Sequence, residues 1–224
     1  TFSVNKVVTG TITTSDFYIK LKRVKNSTTE WLHHESADTW SWGAEGSATE
    51  FSFKDGGIIT FTGLDVDGYT YTVVEDTGRV NITGFSYTST SADTNASVVI
   101  DTADDYTGTI TNKYTPQMGS ISITKKIDGV DAKGTYSIAI KDGEGNYYND
   151  SGVNNGTSPF YVNFAKDETK TWSDLPVPQT YYIEEADANV VGYLWTVDAP
   201  DSITLVPGQS ANVDVTNKYE SGYR

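Results

Sequence analysis

One lysine, one glutamate and one asparagine recur in each half of the chain, at strand positions whose neighbours two residues away are apolar. The two sets are Lys6, Glu75 and Asn112, and Lys125, Glu185 and Asn217. Alternate residues of a β-strand share one face, so all six side chains are predicted to point into a core. Burying an isolated ionised group is very costly, so two matching sets indicate a chemical role.

The chemistry open to these three residue types is an amide bond between two side chains. An apolar interior lowers the proton affinity of a lysine and raises that of a carboxylic acid, so both groups are expected to be neutral. A neutral amine can attack the asparagine γ-carbon, while a protonated glutamate polarises the carbonyl group and moves protons as ammonia leaves. Fixed geometry and exclusion of water would replace an external enzyme. The alternative is that these residues lie at the edge of the core, where they reach solvent or make ordinary hydrogen bonds.

Strand parity separates the second set from two similar neighbours. Lys126 and Glu184 each lie one position away from Lys125 and Glu185. A shift of one residue turns a side chain to the opposite face of a sheet. Parity therefore selects Lys125 and Glu185 as the core-facing pair.

The elements that must position these residues are short β-strands. Alternating runs rich in Thr, Val, Ile and Tyr recur between clusters of Gly, Asn, Asp and Ser, and no clear helical period is present. Seven or eight such strands per hundred residues predict an all-β chain of immunoglobulin-sized sandwiches. An internal repeat, in which 53–64 parallels 164–175, predicts two tandem domains, 1–115 and 116–224. The first contains a long insertion at about 25–49, which is predicted to be irregular and is rich in tryptophan.

Composition limits the classes of partner. Each half has 8 basic and 15 acidic residues, so each carries −7 of the chain's net charge of −14. Nucleic acids and anionic membranes would repel both halves. The absence of cysteine excludes disulfides, thiolate metal sites and cysteine nucleophiles. No segment has the character of a signal peptide or a membrane span, so we expect a mature fragment without its targeting ends.

The opening-strand lysine, the Tyr-x-hydrophobic-x-Glu strand and the Asn-Lys-Tyr ending resemble a known family. They are similar to the B-type (Cna-B-like) repeat domains of Gram-positive collagen adhesins and sortase-assembled pilins. This resemblance covers nearly all of the chain in two copies, and it implies inverse immunoglobulin-like sandwiches with self-generated isopeptide bonds. The implied bonds are Lys6–Asn112, promoted by Glu75, and Lys125–Asn217, promoted by Glu185. A Gly-Tyr pair follows the glutamate only in the second domain, and neither a Tyr-Pro-Lys motif nor a Leu-Pro-x-Thr-Gly signal is present.

The resulting expectation is a structural pilin or adhesin-stalk protein on the cell wall of a Gram-positive bacterium. Its partners would be neighbouring domains or pilin subunits, with no cofactor, no metal, no nucleic acid and no direct membrane insertion. It would not be an enzyme beyond the single self-catalysed bond in each domain.

A ligand-binding module is the second interpretation. Three tryptophans of the insertion, Trp31, Trp40 and Trp42, could bind a host glycan or a matrix protein, or they could fold back and cap the core. His33 and His34 are adjacent, a spacing that does not suit one metal ion. A third interpretation, an accessory domain of a secreted carbohydrate-active enzyme, requires a catalytic domain elsewhere in the gene.

Overall fold

A computed structural model describes residues 1–222 of the chain and shows two compact units, Thr1–Thr115 and Pro116–Arg224. We refer to these units as domain 1 and domain 2. Regular structure in both is almost entirely β-strand, which confirms the prediction of an all-β chain of two sandwich-like halves. The last two residues of the predicted second domain, 223 and 224, lie outside the described residues.

Domain 1 contains ten strands, one short α-helix and two 3₁₀ helices (Glu45–Ser47 and Thr77–Arg79) in the described residues. The strands and the α-helix are β1 (Phe2–Thr9), β2 (Phe17–Lys25), β3 (Thr28–Ser36), β4 (Thr39–Gly43), β5 (Phe51–Phe53), β6 (Ile58–Phe61), β7 (Tyr69–Glu75), β8 (Phe85–Tyr87), α1 (Ser91–Thr94), β9 (Asn95–Ile100) and β10 (Tyr106–Pro116). One sheet has the order β6-β1-β10-β8. The other has the order β4-β3-β2-β7-β9, and β5 also pairs with β2.

Domain 2 repeats this plan with nine strands in residues 116–222. They are β11 (Gly119–Gly129), β12 (Tyr136–Asp142), β13 (Tyr147–Tyr148), β14 (Val162–Phe164), β15 (Thr169–Leu175), β16 (Gln179–Glu185), β17 (Tyr193–Asp198), β18 (Ile203–Leu205) and β19 (Ser210–Ser221). Its sheets have the orders β15-β11-β19-β17 and β13-β12-β16-β18, with β14 also paired to β12. In each domain the first and last strands are parallel neighbours at the centre of one sheet.

The core of each domain lies between its two sheets, because alternate side chains of both sheets are apolar and buried. In domain 1, Val4 and Ile110 of one sheet and Leu21 and Val73 of the other belong to a single buried cluster. The corresponding cluster of domain 2 is built in the same way from both of its sheets. The lysine, glutamate and asparagine of each set lie on the same strand faces as these apolar residues, so the two cores surround them.

The insertion at about 25–49 is not irregular, and this prediction was wrong. Its main part is the hairpin β3–β4, which extends the sheet beyond β2. Asn26 and Ser27 both have positive φ, +49° and +64°, as the two central residues of a type I′ turn require. The sequence does not reveal β3 as a strand. Trp31, Leu32 and His33 are buried in succession, so β3 lacks the alternation expected of a strand.

Candidate functional site

Parallel pairing of the first and last strands sets each lysine close to its asparagine. In domain 1, β1 pairs with β10 so that Lys6 lies opposite Ile110 and Val8 lies opposite Asn112. Lys6 and Asn112 are therefore on adjacent strands, two residues apart in register, and both face the core. The same offset recurs where β11 pairs with β19 in domain 2.

In domain 1 a glutamate from the facing sheet joins the other two residues. Glu75, the last residue of β7, places its Oε1 atom 2.5 Å from Lys6 Nζ and 3.1 Å from Asn112 Nδ2. Lys6, Glu75 and Asn112 are only 1%, 4% and 0% exposed. Glu75 Oε2 has no hydrogen-bond partner within the described residues, although it is buried.

Domain 2 has the same arrangement. Glu185 Oε1 lies 3.0 Å from Lys125 Nζ and accepts a hydrogen bond of 2.9 Å from Asn217 Nδ2. Lys125 and Asn217 are fully buried, and the Glu185 side chain is nearly so. Asn217 Oδ1, Glu185 Oε2 and, unlike Lys6 Nζ, Lys125 Nζ are buried without a hydrogen-bond partner in the described part of the chain. Buried polar atoms are rarely left unpaired, so each such atom in a core calls for an explanation.

The apolar surroundings favour the neutral form of each lysine. Burial lowers the pKa of Lys6 and raises the pKa of Glu75, because each charged form has lost its water, and the attraction between the two opposes both shifts. Burial likewise lowers the pKa of Lys125. Aromatic rings contribute to both sites, with the Phe17 ring 4.3 Å from Lys6 Nζ and the Tyr136 ring 4.8 Å from Lys125 Nζ. These shifts favour transfer of a proton from the amine to the carboxylate.

The two neighbours that parity set aside lie outside the core. Lys126 Nζ is 3.3 Å from Asp167 Oδ1, and both side chains are exposed. Glu184 accepts hydrogen bonds from Lys141 and Tyr161, at 2.7 and 2.6 Å. The hydrogen bond from Lys141 is the main cause that lowers the pKa of Glu184 to about 2. Glu184 is therefore held as a carboxylate on the outer face of its strand, away from Asn217.

One family model and several solved structures match the chain. A family model described as a domain of unknown function, DUF5979, matches residues 121–220. None of the curated proteins compared with the chain matches it.

Solved structures match along most of the chain. The major pilin protein T3.2 of Streptococcus pyogenes is 16% identical, with 97% of this chain and 96% of that one covered and a TM-score of 0.36. A streptococcal ancillary pilin is 19% identical, covers 96% of this chain and 61% of its own, and has a TM-score of 0.37. A pilus-presented adhesin, Spy0125 (Cpa), is 13% identical over 67% of this chain and 36% of its own, with a TM-score of 0.34.

The chain is similar to Gram-positive pilin-type domains. At these identities and TM-scores the likeness carries no argument about what the chain does.

Sequence reasoning missed one residue of the first site. The Tyr87 hydroxyl donates a hydrogen bond of 3.4 Å to Asn112 Oδ1, and burial raises the pKa of Tyr87. In domain 2 the corresponding atom, Asn217 Oδ1, has no hydrogen-bond partner among residues 1–222. The sequence gives only weak evidence that Tyr87 faces the core. Its strand has three residues, so Phe85 is the only other residue on the same face.

The three tryptophans do not form one surface. Trp40 and Trp42 of β4 pair with His34 and Leu32 of β3, so their side chains share one face of the hairpin. Trp31 lies on the opposite face, opposite Gly43, and is only 9% exposed. Trp31 therefore does not share a surface with Trp40 and Trp42.

Trp40 and Trp42 line a groove of about 590 Å³ on domain 1. Its walls come from the β3–β4 hairpin and β5, which belong to one sheet, and from β6 and the turn after it, which belong to the other. The lining residues are Leu32, Trp40, Trp42, Phe51, Ile59, Thr60, Phe61, Thr62, Gly63, Leu64 and Asp65. Trp40 is 48% exposed, and its ring stacks on that of Phe51 at 5.9 Å.

The described residues contain neither a metal site nor a membrane-spanning helix. Within residues 1–222, no group of three or more His, Asp or Glu side chains is arranged to hold a metal ion. The described part of the chain also has no helix with the length and apolar character needed to cross a bilayer.

Proposed function

We propose that the chain is a structural module of a bacterial surface pilin or adhesin stalk, in which each domain carries one self-generated isopeptide bond. The bonds join Lys6 to Asn112 and Lys125 to Asn217. The observation that carries this proposal is that, in both sealed cores, the lysine amine and the asparagine amide lie against the same glutamate oxygen. The surface role extends the sequence resemblance to B-type repeat domains.

The bond forms by proton transfers through the glutamate. Lys6 first gives a proton to Glu75, which leaves a neutral amine and a neutral acid. The amine nitrogen attacks Asn112 Cγ to form the new C–N bond, and Glu75 donates its proton to the amide nitrogen that leaves. The bond from Cγ to Nδ2 breaks, ammonia departs, and Glu75 takes the remaining proton from the former lysine nitrogen. Each domain reacts once and uses no cofactor, so the chain is not a turnover enzyme.

The position of the bonds gives them a mechanical role. Each joins the first strand of a domain to its last strand, and these strands are adjacent and parallel. A force that enters through one strand and leaves through the other passes through the bond, so the rest of the domain is not extended. An amide is not reducible, and the chain has no cysteine with which to form disulfides. This fits a stalk on a cell-wall surface whose partners are neighbouring domains or pilin subunits.

Intact-protein mass spectrometry tests the proposal directly. The purified chain is expected to weigh less than its sequence by two ammonia molecules, because each bond releases one. Digestion should then yield branched peptides that join the strand of Lys6 to that of Asn112, and the strand of Lys125 to that of Asn217. A mass equal to that of the plain sequence would refute both bonds.

We expect Tyr87→Phe to slow formation of the Lys6–Asn112 bond by about tenfold, the effect of losing one weak hydrogen bond to a developing oxyanion. The Tyr87 hydroxyl meets Asn112 Oδ1, where negative charge grows as the amine attacks. Cell-free synthesis followed by timed digestion and mass spectrometry measures both bonds in the same molecules. The bond of domain 2 is the internal control, and equal rates in domain 1 with and without the Tyr87 hydroxyl would contradict this role.

Ligand binding is a second candidate function, and the groove beside Trp40 and Trp42 favours it. A half-exposed tryptophan at the rim of an apolar groove is a common feature of binding sites. A host glycan or a matrix protein would be the ligand. Binding of the intact protein to glycan and matrix arrays, with Trp40→Ala as the comparison, tests this candidate.

A further inference from the structure

The groove of domain 1 lies between the edges of two sheets. On one side is β4, which pairs only with β3, and on the other is β6, which pairs only with β1, within the described residues. No backbone hydrogen bond joins the β3–β4 hairpin to β6 or to the turn after it in residues 1–222. An unpaired strand edge presents backbone N–H and C=O groups that can pair with another chain.

Domain 2 closes the corresponding edge with its own chain. After β13 the backbone turns across to β15, where the Ser173 amide donates to the Asp150 carbonyl at 3.0 Å. The Trp172 indole also donates to the Tyr148 carbonyl, at 3.2 Å. Gly152 lies so close to the Asp174 backbone that a side chain at Gly152 would not fit.

The counterparts of these residues in domain 1 are free of such contacts. The repeat aligns Phe61, Thr62 and Gly63 with Trp172, Ser173 and Asp174. Gly63 has the same left-handed backbone as Asp174, with φ of +68° and +53°. A side-chain carbon added to Gly63 would meet no atom within 4 Å, so the space that Gly152 fills in domain 2 is open here. Phe61, unlike Trp172, has no indole N–H to donate.

The inner wall of the groove indicates what it would take. Leu32, Trp42, Phe51, Phe61 and Leu64 make the interior apolar, and its volume of about 590 Å³ falls in the range of ligand sites. These walls suit one bulky apolar side chain together with the backbone that carries it. Recognition of a sugar usually needs several convergent polar groups, and the interior of this groove offers few.

The charged groups at the rim are largely engaged already. Asp65 lies 2.5 Å from Arg23, whose guanidinium group is stacked on the Trp42 ring at 4.3 Å and on the Tyr69 ring at 4.4 Å. No free cation is therefore directed at the groove from this cluster of residues. Domain 1 as a whole carries −7, so a basic partner is favoured over an acidic one.

We propose that the groove binds an extended segment of a partner polypeptide, which adds a strand along the β4 or β6 edge and inserts one bulky apolar side chain, with basic residues beside it. The Thr62 amide would donate to a carbonyl of this segment, as Ser173 donates to Asp150 in domain 2. This inference deepens the ligand-binding candidate by choosing a peptide strand over a glycan. It does not depend on the isopeptide bonds, which the mass measurement decides separately.

A displayed library of random heptapeptides, panned against the intact 224-residue protein, tests the proposal. Enriched peptides should share a bulky apolar residue with a nearby lysine or arginine. The best of them, made as a labelled synthetic peptide, should bind the native protein in fluorescence anisotropy. Methylating its backbone nitrogens should weaken binding at least tenfold, because strand addition needs backbone hydrogen bonds.

Protein variants locate the peptide. Trp40→Ala should weaken binding at least tenfold, because Trp40 forms the rim, and Thr62→Pro should do so because it removes the amide donor. Trp31→Phe, on the opposite face of the same hairpin, is the matched control and should leave binding unchanged. Thermal melting checks that each variant is folded. If Thr62→Pro does not fold, Trp40→Ala still tests the groove, because it leaves the backbone amides in place.

Three outcomes would overturn the inference. One is the absence of any enriched peptide family. Another is binding that survives both Trp40→Ala and backbone methylation. The third is Trp40-dependent binding on a glycan array without peptide binding, which would assign the groove to a sugar and leave the ligand-binding candidate standing.

Discussion

Replacing Glu75 with alanine will leave Lys6 and Asn112 unlinked and will lower the melting temperature of domain 1 by roughly 20 °C or more. The proposed bond would close a loop of about 107 residues, for which the chain-entropy model gives about 4–5 kcal/mol. In a domain of this size each kcal/mol corresponds to about 4 °C or more. The variant also leaves the Lys6 amine in an apolar core without its partner, and losing one partner of a buried pair costs about 3–5 kcal/mol.

Two measurements separate these contributions. Intact mass should show that Glu75→Ala retains one ammonia more than the native chain, while the bond of domain 2 still forms. Asn112→Ala also prevents the bond but keeps the Lys6–Glu75 pair, so its melting temperature isolates the effect of the cross-link. The variant with Asp76→Asn, next to Glu75 but on the surface, is the control and should weigh less than its own sequence by two ammonia molecules, as the native chain should.

The same experiment in domain 2 has a sharper control. Glu185→Ala should prevent the Lys125–Asn217 bond, whereas Glu184→Gln should not, since Glu184 lies on the outer face with Lys141 and Tyr161. If Glu185→Ala still lost its ammonia, or if Glu184→Gln retained it, the assignment of the glutamate would be wrong.

Pulling on the two ends of the native chain will give no unfolding step from either domain. In domain 1 the Lys6–Asn112 bond would carry the load from β1 to β10, and the residues between them would stay folded. With Glu75→Ala, the same residues should extend by about 350–380 Å, because an extended chain spans about 3.3–3.6 Å per residue. Single-molecule force spectroscopy with handles at both termini measures this length.

The double variant provides the comparison for this experiment. Glu75→Ala with Glu185→Ala should show two steps, the second of about 310–330 Å for the roughly 93 residues from Lys125 to Asn217. Native molecules that show steps of these lengths would contradict a load-bearing cross-link in the corresponding domain. Molecules in which only one domain has formed its bond would show only the unfolding step of the other domain.

The sequence predicted those features that depend on alternation along a single strand. The all-β character followed from short alternating runs, and the structure confirms it. Strand parity likewise separated Lys125 from Lys126 and Glu185 from Glu184, and the structure buries the first of each pair and leaves the second outside the core. Parity is a local property of the backbone, so it can be read without knowing which strands are neighbours.

The local pattern of apolar and polar residues failed to predict features that depend on contacts with other strands. The β3 strand was missed because Trp31 and Leu32 are buried on opposite faces of the hairpin, so their strand shows no alternation. Tyr87 was missed because its role depends on meeting Asn112 across 25 residues of sequence.

The sequence by itself determined which residue types occupy the two cores and the phase in which they lie. Only the tertiary structure decided that Trp31 is separated from Trp40 and Trp42, and that an edge filled by the chain in domain 2 is an open groove in domain 1. The physical reason is that strand phase is set by backbone geometry between successive residues. A groove between two sheets depends instead on how far a hairpin extends and on which strand edges remain unpaired, and residues distant in sequence set both.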